Sequence, residues 1–307
     1  MKKKLIFLGI LIFTGYVLMF PQYAVASAAD GLVLWYEQVL PSLLPFAIVS
    51  NILIYSNYLG YITRYLYPVT RHLLPTSESG AFVLISGFLF GFPMGSRNCA
   101  QLLKCGKITH DEAEVLFIIT NNISPVFISS YILCGQLKMP SLILPSYLVL
   151  FLPPLAAGRI LLKARKETAA AAYNKPASQS QINFKIIDAG IMNGFETLTR
   201  LGGYIMLFSM IASMLQLLPL PESITIQAVG ITEITNGIHR LSAANLSALP
   251  RYVLAMAFTA FGGLSGIAQT SSMIKGTGLS MKRYCGLKLL LTAASAALAY
   301  PVYLLFC

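Results

Sequence analysis

The stretch "SGFLFGFPMGSRN", Ser86 to Asn98, begins as membrane-helix material and then, between Gly91 and Asn98, places two glycines, a proline, a serine, an arginine and an asparagine. Proline withholds a backbone donor and crowds the carbonyl one turn back, and the flanking glycines admit dihedrals closed to other residues. Freed backbone groups are tolerated at membrane depth only inside protein or beside water. The residues fit two readings. One is an ordinary interfacial loop carrying a cytoplasmic arginine. The other is an anion site, in which a helix restarting at Ser96 presents free amides and its positive dipole end with Arg97 alongside.

Composition sets the surroundings of that stretch. Of 307 residues, 56% are hydrophobic and 11% charged, where soluble domains carry about 25% charged residues. The mean hydropathy is +0.70. A soluble chain of this length would need polar surface that this one lacks. The net charge of +11 comes from 22 Lys and Arg against 11 Asp and Glu. The basic residues cluster between apolar runs, as in Lys2-Lys3-Lys4, Lys163-Arg165-Lys166 and Lys282-Arg283. That distribution follows the positive-inside rule and points to anionic lipid headgroups, not nucleic acid, as the partner. Five scattered cysteines without a CxxC, and His72, His110 and His239 at no ligating spacing, support no disulfide framework, metal site or cofactor. No nucleophile elbow or Ser/His/Asp order appears, so no catalytic residue is assigned and an enzyme is not expected.

The predicted fold class is all-α: a polytopic integral membrane protein of two related halves with broken or re-entrant helices. Residues 1–29 read as an N-terminal membrane helix or signal-anchor. The basic start, the apolar run Leu5 to Phe20 and the small residues Ala24, Ala26 and Ala28 also have the anatomy of a cleavable signal peptide. Residues 30–162 form the first membrane half, 163–185 a polar cytoplasmic linker and 186–307 the second half. The apolar runs at 80–96, 224–238 and 252–270 are short or interrupted, the usual pointer to discontinuous helices around a binding site. A constant shift of 171 residues lays Phe90-Gly91 on Phe261-Gly262, Gly95 on Gly266, Ile108-Thr109 on Leu279-Ser280 and Leu116 on Leu287. An internal repeat is expected from that register.

Three constellations are candidates for solute binding. The first is Gly91, Pro93, Gly95, Ser96, Arg97 and Asn98 in the opening stretch. The second is "FIITNNISPVF", where Thr120, Asn121, Asn122 and Ser124 set hydrogen-bonding groups inside an apolar span, with Thr235 and Asn236 of "GITEITNGIH" as a counterpart. Polar groups at that depth are costly unless they meet a partner or water, although helix-to-helix hydrogen bonding accounts for them equally in kind. The third is "AFGGLSGIAQTSSMIKGTG", with Gly263, Ser265, Gly266, Gln269 and Thr270. A small-residue packing interface is its structural alternative. In "GKITHDEAE", Thr109 and Glu112 have the spacing of a capping box, so the acidic group there reads as structural.

The ordered motifs Gly91-Phe92-Pro93-Met94-Gly95, Gly106 to Glu114, and Thr120-Asn121-Asn122 with Pro125 resemble the signature of sporulation integral membrane proteins carrying the nucleoside-recognition, or Gate, domain. "LPSLLPFAIVSNIL", "GGYIMLFSMI", "EITNGI" and "GLSGIAQT" extend the likeness over most of the chain from about residue 30. Ser96-Arg97 departs from the Gly or Ala with Lys of that pattern. The resemblance implies a transporter or channel for a small organic anion, above all dipicolinate, moved across the outer forespore membrane during sporulation. Phe92 and Phe127 would then contact the ring of the solute, and Arg97 its carboxylates. The alternatives are a carrier of a nucleoside or other small metabolite, and a non-transporting scaffold that assembles with itself or with other sporulation membrane proteins.

Overall fold

A computed structural model describes residues 2–56, 58–164 and 182–307. Most of the expected linker, residues 165–181, lies outside the described residues. Among the described residues there is no strand, and the protein is an all-α polytopic membrane protein. The helices are α1 (Lys2–Met19), α2 (Pro21–Leu34), α3 (Leu40–Tyr55), α4 (Leu59–Leu73), α5 (Glu78–Phe90), α6 (Met94–Lys104), α7 (His110–Ile119) and α8 (Pro125–Leu137). They continue with α9 (Ile143–Ala164), α10 (Phe184–Gln216), α11 (Glu222–Thr232), α12 (Ile234–Ala243), α13 (Ala248–Phe261), α14 (Gly263–Met273) and α15 (Met281–Phe306). Among the described residues five stretches are long and apolar enough to cross a membrane: Pro21–Tyr55, Pro140–Ala164, Phe184–Gln216, Ala248–Met273 and Met281–Phe306. A sixth arises if α4 and α5, bent by 81° at their junction, count together. Where residues 1–29 were read as one N-terminal membrane helix or signal-anchor, the helix stops at Met19. It restarts at Pro21, because Phe20 leaves the helical region and proline suits a first turn.

The arrangement inverts that of a soluble protein. The long helices turn apolar side chains such as Leu144, Leu148 and Ile160 of α9 and Leu289, Leu290 and Leu305 of α15 outward, as lipid requires. The short helices lie inside them. With 13, 11 and 10 residues, α5, α6 and α7 reach at most about 20 Å and cannot cross a hydrocarbon core of about 30 Å. From Ser79 to Gly87 α5 is buried except at Ile85, and α7 is buried from Glu112 to its end, which is how a helix apolar on most faces is used. One core joins these helices to the start of α15, a second joins α8, α9, α12 and α13, and a third joins α3 to α10.

Close approach of the short helices depends on glycine. A Cβ on Gly87 would sit 2.5 Å from Cβ of Thr120, and one on Gly95 would strike the Thr120 carbonyl. The polar turn between α6 and α7 is capped as expected, since Thr109 Oγ1 accepts from Glu112 N at 3.2 Å. The Glu112 carboxylate does not close the box. It reaches the N-terminus of α5, accepting from Ser77 N at 2.6 Å, and so ties α7 to α5.

Positions 171 residues apart share the order of their elements but not their full backbone geometry, since ψ is −171° at Gly91 and 7° at Gly262. Phe90 and Phe261 end their helices, and Gly91 (φ 75°) and Gly262 (φ 76°) follow with positive φ. A short helix, α6 or α14, comes next. Thr109 and Ser280 then cap the helices that follow, each accepting from the amide three residues on. The two short helices pack on one another, and Lys104 Nζ donates to the carbonyl of its counterpart, Lys275, at 3.1 Å.

Candidate functional site

Four interruptions converge on one chamber of about 960 Å³. The first, between α5 and α6, supplies Leu89, Phe90 and Phe92. The second, Thr120 to Ser124 between α7 and α8, supplies Ile123 and Ser124. The third is Glu233, extended (φ −147°, ψ 123°) between α11 and α12, with Ile234 and Thr235 beside it. The fourth, between α13 and α14, supplies Gly262, Ser265 and Gln269. The opposite wall comes from α3, α10 and the π-helical turn Trp35–Val39, with Gln38, Phe46, Leu201 and Ile205. That turn is fixed by Trp35 Nε1 donating to Leu198 O at 2.7 Å, with the indole lying over Gly202.

The lining is apolar and aromatic, with polar groups at few points. Phe46 stacks on Phe90 at 3.9 Å between centroids, and Phe127 on Tyr131 at 4.7 Å. Tyr131 donates its hydroxyl to Thr235 O at 3.1 Å. Gln269 Nε2 donates to Ser265 Oγ at 2.9 Å, while its Oε1 is buried and accepts nothing among the described residues. Among the described residues Glu233 is the one carboxylic acid or basic side chain in the lining. Its Oε2 caps α12, accepting from Asn236 N and from Asn236 Nδ2, both at 2.8 Å.

Behind this surface the second interruption is where the two halves are tied. Asn121 Nδ2 donates to Thr270 Oγ1 at 2.6 Å and to Tyr284 Oη at 2.8 Å. Asn122 O accepts from Phe92 N at 2.6 Å, and Asn122 Nδ2 turns back to Ile119 O at 2.6 Å. Lys288 of α15, only 2% exposed, donates from Nζ to Asn121 O at 2.9 Å and to Asn122 Oδ1 at 3.3 Å. Conserving backbone satisfaction at a broken helix demands such partners.

Residues 37–138, which hold the first two interruptions, match the family model for Gate, nucleoside recognition. Over 310 aligned residues, covering 89% of this chain and 76% of the relative, the protein is 27% identical to the sporulation integral membrane protein YlbJ of Bacillus subtilis. No solved structure matches it. The resemblance read from the three motifs is therefore shown, and the Gate match leaves Glu233, Gly262, Gln269 and Lys288 to the second half.

Of the expected binding residues, Ser124, Thr235, Ser265 and Gln269 line the chamber. Gly91, Pro93, Gly95, Gly263 and Gly266 shape the interruptions, with Gly263 at φ 72° and the Phe92 ring lying against Gly266. α6 restarts at Met94, not Ser96, and Ser96 Oγ returns to Pro93 O at 2.9 Å. Asn98 Nδ2 holds Ser86 Oγ at 3.0 Å, and Thr120 Oγ1 returns to Leu116 O at 2.7 Å, so both serve the packing of α5, α6 and α7. Asn236 bonds Glu233 and Ser209. Arg97 stands outside the lining: its Nε donates to Thr197 Oγ1 at 2.8 Å and its Nη2 to Asn193 O at 3.4 Å, which binds α6 to α10. Phe92 and Phe127, expected to meet a solute ring, do face the chamber. Sequence reasoning passed over Lys288, whose signal was a single charge in the apolar run 284–306, and Gln38, Tyr131 and Gln136, which carried none.

Proposed function

We propose that this protein is a membrane transporter for a small organic solute, that it works during sporulation, and that the solute is held in the chamber beneath the four interruptions. The observation that carries the reading is that convergence itself. Broken helices are costly in lipid unless they border protein or a water-filled cavity, and here four of them border the same one. A scaffold has no need of such an arrangement. The likeness to a sporulation membrane protein supports the setting, with the outer forespore membrane as the location. Anionic headgroups would meet the basic clusters at the membrane surface.

Dipicolinate is the solute that the family resemblance favours, and the rings of Phe92 and Phe127 suit its flat pyridine. A second reading rests on Glu233 and the unpaired Gln269 Oε1. Both are acceptors, and among the described residues no cation lines the chamber, so a neutral hydrogen-bonding heteroaromatic such as a nucleoside suits the lining as it stands. A dianion sharing the space with Glu233 would need a proton or a counter-cation to enter with it. Proteoliposomes loaded with the purified protein decide between them. Saturable uptake of labelled dipicolinate, not matched by a nucleoside or a simple dicarboxylate, supports the first; the reverse preference supports the second. No uptake of any of them by folded protein would sink the transporter reading and leave the scaffold.

A further inference from the structure

Lys288 places an amine deep in the apolar run of α15, 2% exposed. An ammonium removed from water into apolar surroundings is sustained only where oxygen atoms replace its hydration. Partners of that kind are present, and both are uncharged: the Asn121 carbonyl and Asn122 Oδ1. Among the described residues Lys288 pairs with no carboxylate, unlike Arg200 with Glu196 or Arg283 with Glu114. The two oxygens sit one and two residues beyond Thr120, which caps the carboxyl end of α7, where the helix dipole adds negative potential. Backbone and amide oxygens gathered at the carboxyl end of an interrupted helix are the ligands that hold a sodium ion in transporters built on broken helices.

We infer that the Lys288 ammonium is a tethered cation, occupying the oxygen cradle at the α7–α8 interruption in place of a free monovalent metal ion. The interruption is thereby closed without sodium or potassium. The consequence reaches the chamber by two short routes. Asn121, held by Lys288 through its carbonyl, grips Thr270 next to Gln269; Asn122, held through its side chain, takes the amide of Phe92 on its own carbonyl. One cation thus fixes the chamber residues Phe92, Ser124 and Gln269 relative to one another. As a statement about assembly this stands on the geometry of the interruption. As a statement about coupling, that uptake needs no alkali-metal gradient, it rests on the transporter reading.

The test uses the full chain in detergent or nanodiscs and reads the thermal unfolding midpoint in sodium, potassium, methylammonium and N-methylglucamine chlorides at equal ionic strength. The wild type is expected to give the same midpoint in all four. Lys288→Ala removes the charge and opens space, and its midpoint should fall in N-methylglucamine and recover as sodium, potassium or methylammonium is added. Lys288→Met keeps the stem and loses the charge, so its midpoint should fall and respond to none of them. A wild-type midpoint that depends on sodium or potassium overturns the inference, as does a Lys288→Ala variant no more cation-responsive than the wild type. If Lys288→Ala does not fold, Lys288→Arg against Lys288→Met decides: the charged variant should hold the wild-type midpoint better, and equal losses overturn the inference. None of these readings needs a solute, so failure of dipicolinate and nucleoside uptake leaves them intact. Uptake that runs only on a sodium gradient would instead overturn the inference while leaving the transporter reading in place.

Discussion

At the first interruption Gly91 follows Phe90 with φ 75°, and at the fourth Gly262 follows Phe261 with φ 76°. The chain leaves the two helices in different directions, with ψ −171° at Gly91 and 7° at Gly262, and in each half then enters a short helix and passes through a turn to a capped one. What surrounds the two glycines differs. A Cβ on Gly91 would lie 2.5 Å from Ser124 N and 2.9 Å from Asn122 O, whereas one on Gly262 would meet only the Phe92 ring, at 3.9 Å. The helices after the turns differ as well. α7 breaks again after ten residues, while α15 runs on for 26. One half therefore supplies a doubly broken segment and the other an unbroken rod that carries the groups gripping it. A shared positive φ does not bring a shared duty: Gly91 is locked in backbone contact, and Gly262 borders open space.

That contrast is broken most directly at Gly91. Gly91→Ala forces a side chain into positive φ and into the backbone of the next interruption, at a cost of about 3 kcal/mol or more when strain and overpacking are combined. Folded yield and unfolding midpoint in detergent should drop sharply. A near-native midpoint would mean that the first interruption is not locked by Ser124 and Asn122 as described.

The next largest effect is expected at the grip between the halves. Asn121→Leu leaves the buried Tyr284 hydroxyl and Thr270 without their shared donor and should destabilise by about 2 kcal/mol, within the usual range for an orphaned buried polar group. The position 171 residues later, Thr292, bonds only within its own helix, to Lys288 O at 2.8 Å. Thr292→Val should change stability by no more than about 0.5 kcal/mol. Comparable losses from the two changes would erase the asymmetry drawn between the halves.

Glu233→Gln tests the electrostatics of the chamber. Glutamine keeps an acceptor for the Asn236 amide and removes the carboxyl group from the lining. The ratio of dipicolinate to nucleoside uptake should rise about tenfold, equivalent to about 1.4 kcal/mol. An unchanged ratio would show that Glu233 does not face the solute.

How much of this was legible in the sequence follows from the range of each interaction. Gly91, Pro93 and the Thr120 to Ser124 cluster break local rules for a membrane helix, so the interruptions could be placed from neighbouring residues alone. Thr109 could be read as a cap for the same reason. Partners could not be read where they are remote. Arg97 lies beside the first interruption, but which side of the short α6 carries it toward Asn193 and Thr197 is set by packing of α10, about a hundred residues on. Glu112 had the spacing of a capping box and went to Ser77 because the N-terminus of α5 was packed within reach. Lys288 looks like a blemish in an apolar run until the fold brings it to oxygens 166 and 167 residues away.

At the fourth interruption the glycine change is expected to cost far less than at the first. Gly262 has the left-handed conformation (φ 76°, ψ 7°), so Gly262→Ala bears the intrinsic penalty of that region, about 1 kcal/mol, and little else. The added methyl would point toward the Phe92 ring at ordinary contact distance, on the wall of the chamber. Stability should therefore fall slightly, and the sensitive reading is uptake, because the methyl narrows the space over Phe92 that a flat solute would use. If Gly262→Ala instead proved as damaging to folding as Gly91→Ala, the fourth interruption would have to be locked like the first. The view of one gripped and one open break would then give way to two equivalent hinges.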